Sequence, residues 1–365
     1  MERTRRAVIG SVGAIGAGAL AGCLGSRPGS GDSDGGGTGS DGDATAQATF
    51  FVFGDVASAV AGDATSTDLL VPVGQHGHGW EPGPRVRESI RAADLLVHGM
   101  TGFQPWVDDV AADLAADDAA VDTVDASADV ALLPATGEHG HDHGGDEHDD
   151  DEYHEGDHTE TEHHDDHTET EHHDDHDEGD DDHDRHAGEY DPHFWMDPLR
   201  VADAVDTVEA ALTEANPDGS EAHAANAAAL REELTALDER IESLVADAGE
   251  RVLLVAGHNS FQYLGDRYGL HVEALTGLSP DDQPTTRDIE RAQEVIAEHG
   301  VRYVCADPLE SQRAADQLVA ETDAEAVLPL TAMPGLTDEW AENDWGYLDV
   351  MREVNVPTLD RVLSR

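Results

Sequence analysis

The run from His139 to His186 limits most sharply what this chain can fold into. It holds 14 of the 22 histidines and 23 of the 80 carboxylates against one basic residue, Arg185, and its only apolar side chain is Tyr153. A stretch that repels itself and has nothing to bury is expected to be disordered without metal, so it must be an insertion between segments that do fold. The unit HTETEHHDD fills positions 158–166 and recurs at 167–175. Many interchangeable imidazoles and carboxylates with no preset geometry predict several weak cation sites, because each binding event must order the chain. His139, His141, His143, His163, His164, His172 and His173 are the auxiliary contacts expected there.

Most of the acidity lies elsewhere, for the whole chain carries a net charge of −60. Such a surface argues against nucleic acid and anionic membrane surfaces as partners, since both require basic patches. It suggests a salt-loving source. At the N-terminus Arg3, Arg5 and Arg6 precede the small, apolar run AVIGSVGAIGAGALAG, which ends in LAGC. That run is too short and too rich in glycine for a membrane span and reads as an export signal of twin-arginine type, residues 1–23. A small-residue cleavage site directly before a lone cysteine is what lipid attachment requires, so Cys23 is the expected anchor. The expected location is the outer face of the cytoplasmic membrane, with residues 24–47 as a flexible tether. With Cys23 lipidated, the only other cysteine, Cys305, has no disulfide partner and is read as a buried strand residue.

From residue 48 the pattern is that of an α/β protein. The apolar bursts TFFVF, STDLLV and ADLLVH, and later RVLLVAG, HVEAL, VRYVCA and EAVLPL, read as strands. Amphipathic stretches between them, such as QPWVDDVAADLAA, TRDIERAQEVIAEHG and SQRAADQLVAET, read as crossover helices. Residues 216–248 are rich in Ala, Leu and Glu and open on Pro217, which predicts one long helix. Roughly thirty residues in a helix span about 45 Å, more than one small domain needs. The expected fold is therefore two lobes, 48–215 and 249–365, each a mainly parallel β-sheet flanked by helices, joined by that rigid helix.

Outside the acidic tract, His78, His193 and His258 sit among turn residues at the ends of predicted strands, where α/β sheets bind their ligands. Neutral imidazoles suit zinc and other borderline metals, whereas calcium or magnesium would demand oxygen donors. The segments LLVPVGQHGHGWEPGP, DPHFWMDPLRV, GHNSFQYLGDRYGL and YLDVMREVN together resemble the landmarks of the ZnuA/TroA-type metal-binding lipoproteins (cluster A-I) that serve ABC importers. The acidic tract resembles the His-rich loop of their zinc-uptake members.

That resemblance implies metal ligation by His78, His193 and His258. It also implies a membrane permease and its ATPase subunit as partners, and Zn(II) as a bound substrate rather than a reactant. Family members often add a late carboxylate, but the matching stretch VLPLTAMPG offers Thr331 and Ala332. The fourth position is open between water, His76 and Glu81, with Asp307 read as a supporting or capping acid. Three imidazoles without an obligatory carboxylate favour zinc over manganese, which prefers more oxygen. The other readings are a manganese or iron binder of the same class, a zinc storage or sensing protein centred on the tract, and a zinc hydrolase. The hydrolase would need a general base, and no spacing such as His-Glu-x-x-His supplies one. The chain is therefore expected not to be an enzyme.

Overall fold

The computed structural model describes residues 44–77, 79–135, 189–246, 248 and 252–364. Cys23 with the export signal, nearly all of the 24–47 tether, His78, and the 139–186 tract with its seven auxiliary histidines lie outside the described residues.

The first lobe alternates strand and helix: β1 (Thr45–Ala48), α1 (Phe51–Ala61), β2 (Ser66–Leu69), α2 (Pro84–Ile90), β3 (Leu95–His98), α3 (Pro105–Ala116) and β4 (Asp122–Asp125). After residue 188 the chain makes a 3₁₀ turn, Phe194–Met196, and enters α4 (Pro198–Ala215) and α5 (Ser220–Ala246). The second lobe repeats the rhythm with β5 (Val252–Val255), α6 (Gln262–Tyr268), β6 (His271–Ala274), α7 (Thr286–His299), β7 (Tyr303–Ala306), α8 (Arg313–Glu321) and β8 (Ala326–Pro329). The chain closes with α9 (Asp338–Glu342) and then an unbroken helical run made of α10 (Tyr347–Val350), a π-helical turn at Met351–Asn355 and α11 (Val356–Leu363).

Each lobe carries a four-stranded sheet of the same order, β2-β1-β3-β4 and β6-β5-β7-β8, and every pairing is parallel. Strands covered on both faces by crossover helices read as unbroken apolar runs. β7, YVCA, is buried at all four positions, and burial pushes the Cys305 thiol up to about 12, so it is an inert packing group. In each sheet the order reverses beside its first strand, which opens a crevice at the carboxyl ends of the strands.

Three sequence expectations are corrected here. The first lobe begins before residue 48, because Thr45–Gln47, expected in the tether, belong to β1 and pair with β2 and β3. The apolar burst Thr49–Phe53 is not a strand, since β1 ends at Ala48 and α1 begins at Phe51. Seven residues of α1 are buried, among them Phe51, Val52 and Phe53. A helix apolar on most sides begins with the same short run that a core strand would show, and periodicity cannot separate the two. His193 does not end a strand either; it precedes the 3₁₀ turn between β4 and α4.

Helix α5 packs along α1 and α4 and also meets α6, α10 and α11. One apolar cluster runs through both lobes, from Phe50, Phe53 and Trp195 to Leu330, Met333 and Tyr347. Polar bonds cross with it: Trp195 Nε1 donates to the Ala332 carbonyl at 2.8 Å, and the Tyr347 hydroxyl donates to the Trp195 carbonyl at 2.8 Å. The lobes thus share a core as well as a connecting helix. Among the described residues no helix is long and apolar enough to cross a membrane.

Candidate metal centre

His193 is held from two directions. Its backbone follows Asp191 and Pro192 in a segment gripped by the second lobe, where the Tyr263 hydroxyl donates to the Asp191 carbonyl at 2.6 Å. Its ring lies against the Trp195 indole, with centroids 5.3 Å apart. The imidazole is fully buried, and Asp191 Oδ1 accepts both its backbone N–H at 2.9 Å and its Nδ1–H at 2.7 Å. Burial keeps the imidazole below its ordinary pKa although Asp191 pulls the other way. The neutral ring, with Nδ1 as donor, is the form a metal ion requires at Nε2.

His258 follows β5 by three residues and is 5% exposed. Its Nδ1 lies 2.8 Å from Glu310 Oε1, on the loop after β7. Burial alone would raise the Glu310 carboxyl, but the hydrogen bonds and charges of His258 and His76 outweigh it and hold it down to about 2. Each ring therefore has a carboxylate at Nδ1, which fixes tautomer and rotation and turns Nε2 toward the other ring. The two Nε2 atoms are 3.4 Å apart. Two nitrogens bound to one zinc at about 2.0–2.1 Å with tetrahedral angles stand about 3.3 Å apart.

His76 reaches the same place from the loop after β2. Its Nε2 is 3.7 Å from Glu310 Oε1, and its ring centroid is 6.4 Å from that of His258. The loop is clamped on both sides. Gln104 Nε2 donates to the Gly77 carbonyl at 2.9 Å from the first lobe, and the Gly77 N–H donates to the Pro334 carbonyl at 2.7 Å. A Cβ at residue 77 would stand 2.6 Å from the Phe50 ring and 2.8 Å from that carbonyl, so the close approach requires glycine.

The remaining candidates fall outside the imidazole cluster. Glu81 is exposed and does not line the adjoining cavity. Asp307 is buried with both oxygens engaged, Oδ1 by the Leu309 N–H at 2.9 Å and Oδ2 by the Ala332 N–H at 3.1 Å. Burial pushes its carboxyl up to about 6. Thr331, in the stretch that lacks a carboxylate, is locked to Asn355 through two bonds, at 2.9 and 2.8 Å. Among the described residues no three His, Cys, Asp or Glu side chains form a closed metal site by themselves. Sequence reasoning missed Glu310, because PLESQ carries no motif and its partners are more than fifty residues away along the chain.

The family of ZnuA, the periplasmic component A of the zinc-uptake complex, matches residues 47–362. The chain belongs to this family. Among ZnuA-family relatives, the zinc-binding lipoprotein AdcA of Streptococcus pneumoniae serotype 4 is 29% identical over 319 residues, 87% of this chain and 55% of AdcA. The high-affinity zinc uptake system protein ZnuA of Bacillus subtilis is 27% identical over 305 residues, 84% of this chain and 83% of that protein. This chain thus spans about half the length of AdcA and most of the Bacillus protein. The crystal structure of the Zn(II)-bound ZnuA-like domain of Streptococcus pneumoniae AdcA aligns with a TM-score of 0.66 and 25% identity, covering 89% of this chain and all of that domain.

Proposed function

We propose that this ZnuA-family chain is the extracytoplasmic solute-binding protein of an ABC importer, which captures Zn(II) between its lobes and presents it to a membrane permease and its ATPase. The observation that carries the reading is the 3.4 Å approach of the His193 and His258 Nε2 atoms, with a carboxylate behind each ring. His78, two residues beyond His76 in the sequence, supplies the third imidazole, and water completes the tetrahedron. Asp191 and Glu310 each stand behind a ring, at its Nδ1, so the donors that face the inner position are nitrogens, which suits zinc over manganese. The protein transforms nothing: the ion is cargo. Lipidation at Cys23 holds the protein to the membrane, and the acidic tract concentrates cations around the lobes.

The test is competition titration of Zn(II) against a chelating dye, using the full chain and its His193→Ala and His258→Ala variants. One tight equivalent is expected for the parent, and each variant should lose at least about a hundredfold in affinity. That exceeds the effect of merely removing a group behind a ligand, which is 10–100-fold. Undiminished affinity in both variants rules out the site.

A further inference from the structure

A cavity of about 550 Å³ adjoins the imidazole pair, and its walls include His76, His258 and Glu310 but not His193. Resting on the zinc-capture reading above, we propose that His76 and Glu310 form an outer cation subsite on the cavity side of the His193–His258 pair, where a divalent metal ion is taken up before it passes inward.

The donors suit a borderline ion, one imidazole nitrogen and one carboxylate. His76 Nε2 and Glu310 Oε1 stand 3.7 Å apart, within the roughly 3–4 Å that two donors at about 2.1 Å from one ion span. The clamped loop fixes His76 and His258 fixes Glu310, so neither donor has to be ordered when the ion arrives. Gly257 makes the placement of Glu310 feasible: a Cβ there would stand 2.7 Å from Glu310 Oε2. Asp281 and Asp282 add negative charge to the cavity wall against one arginine, Arg313, so the field draws cations inward. Two protein donors hold an ion weakly and exchange it fast, which suits passage. Glu310 also touches His258, so the outer subsite and the inner pair share a member and the transfer distance is short.

The experiment is stopped-flow mixing of the full chain with Zn(II) alone, followed by the fluorescence of Trp195, whose ring lies against His193. Four proteins are compared: parent, His76→Ala, Glu310→Gln and the double variant. Gln keeps an acceptor for His258 Nδ1 while removing the charge. His76→Ala should lower the association rate constant about tenfold, the lower end of what electrostatic and positional capture supplies, and slow dissociation by the same factor, leaving the equilibrium affinity unchanged, because the ion leaves by the subsite through which it enters. Glu310→Gln should lower association at least as much, and the double variant should associate no slower than the slower single variant, because both act on one step. An unchanged association rate in His76→Ala overturns the proposal, as do effects that multiply in the double variant. Loss of tight binding in His76→Ala also overturns it, since His76 would then be an inner ligand. None of these outcomes touches the capture reading, which stands or falls with His193 and His258.

Discussion

A buried imidazole serves a metal ion only when its protonation and its rotation are settled beforehand, and Asp191 settles both for His193. Its Oδ1 takes two hydrogen bonds from that one residue. Asp191→Asn keeps the shape and an acceptor but removes the charge that makes the imidazole a better donor to metal. Zinc affinity should fall about 10–100-fold with an unchanged circular dichroism spectrum. Unchanged affinity in the dye competition would mean that packing against Trp195 alone orients the ring. At this scale His193 and His258 were legible because each sits in a local run of distinctive residues, DPHFW and GHNSF. Glu310 was not legible. Its role exists only after β5 and β7 pair and bring their following loops together, and nothing local marks it. Asp307, singled out by the family resemblance and read as a supporting or capping acid, accepts backbone N–H groups with both oxygens, in keeping with that reading.

Elements were legible where length or period is decisive. The helical reading of 216–248 contains the observed α5, Ser220–Ala246, and the departure at its start has a local cause: Pro217–Gly219 form their own 3₁₀ turn. Thr49–Phe53 was misread because a short apolar run has no period, and β4 was missed because its sequence, DTVD, is polar at an edge. The docking of α1 onto α10 makes a pH-dependent joint that no pattern announces. Asp55 Oδ2 accepts the Tyr347 N–H at 2.7 Å, and burial, with Asp349 nearby, raises the Asp55 carboxyl from 3.8 to about 6 despite that bond. The folded protein therefore keeps this proton at pH values where the unfolded chain has released it. Stability from this group falls as pH rises from about 4 to about 6 and is level above that. The difference corresponds to roughly 3 kcal/mol, an upper figure because Asp55 retains some contact with solvent. Asp55→Asn should gain stability relative to the parent by up to that amount between pH 4 and pH 7 in urea titrations. A difference that stays flat with pH would show that Asp55 does not titrate in this range.

For the whole molecule, the doubled α/β pattern was legible because each lobe repeats one rhythm of strand and crossover helix. The fusion of the lobes through Trp195, Tyr347 and the shared cluster was not, because contacts between distant segments leave no periodic trace. The same distinction governs how the acidic tract relates to capture. The chain on either side of residues 136–188 is already joined: Pro134 pairs antiparallel with Tyr190, the Ala135 N–H donates to the Glu189 carbonyl at 2.8 Å, and the Asp191 N–H donates to the Leu133 carbonyl at 2.9 Å. The Tyr263 hydroxyl fastens both strands of this pair, accepting from the Leu133 N–H at 2.9 Å. Deleting 139–186 leaves 136–138 and 187–188, about five residues, a length that commonly closes an antiparallel pair. The deletion should therefore leave folding and the tight Zn(II) equivalent intact, since His78, His193 and His258 all lie outside it. The additional weak equivalents should disappear, because the excised histidines supply them and each must order its own chain to bind. Isothermal calorimetry of the parent and the deleted protein separates the two phases. If the tight phase vanished with the tract while the circular dichroism spectrum was unchanged, the tract itself would be the principal site and storage, not delivery, would be the better reading.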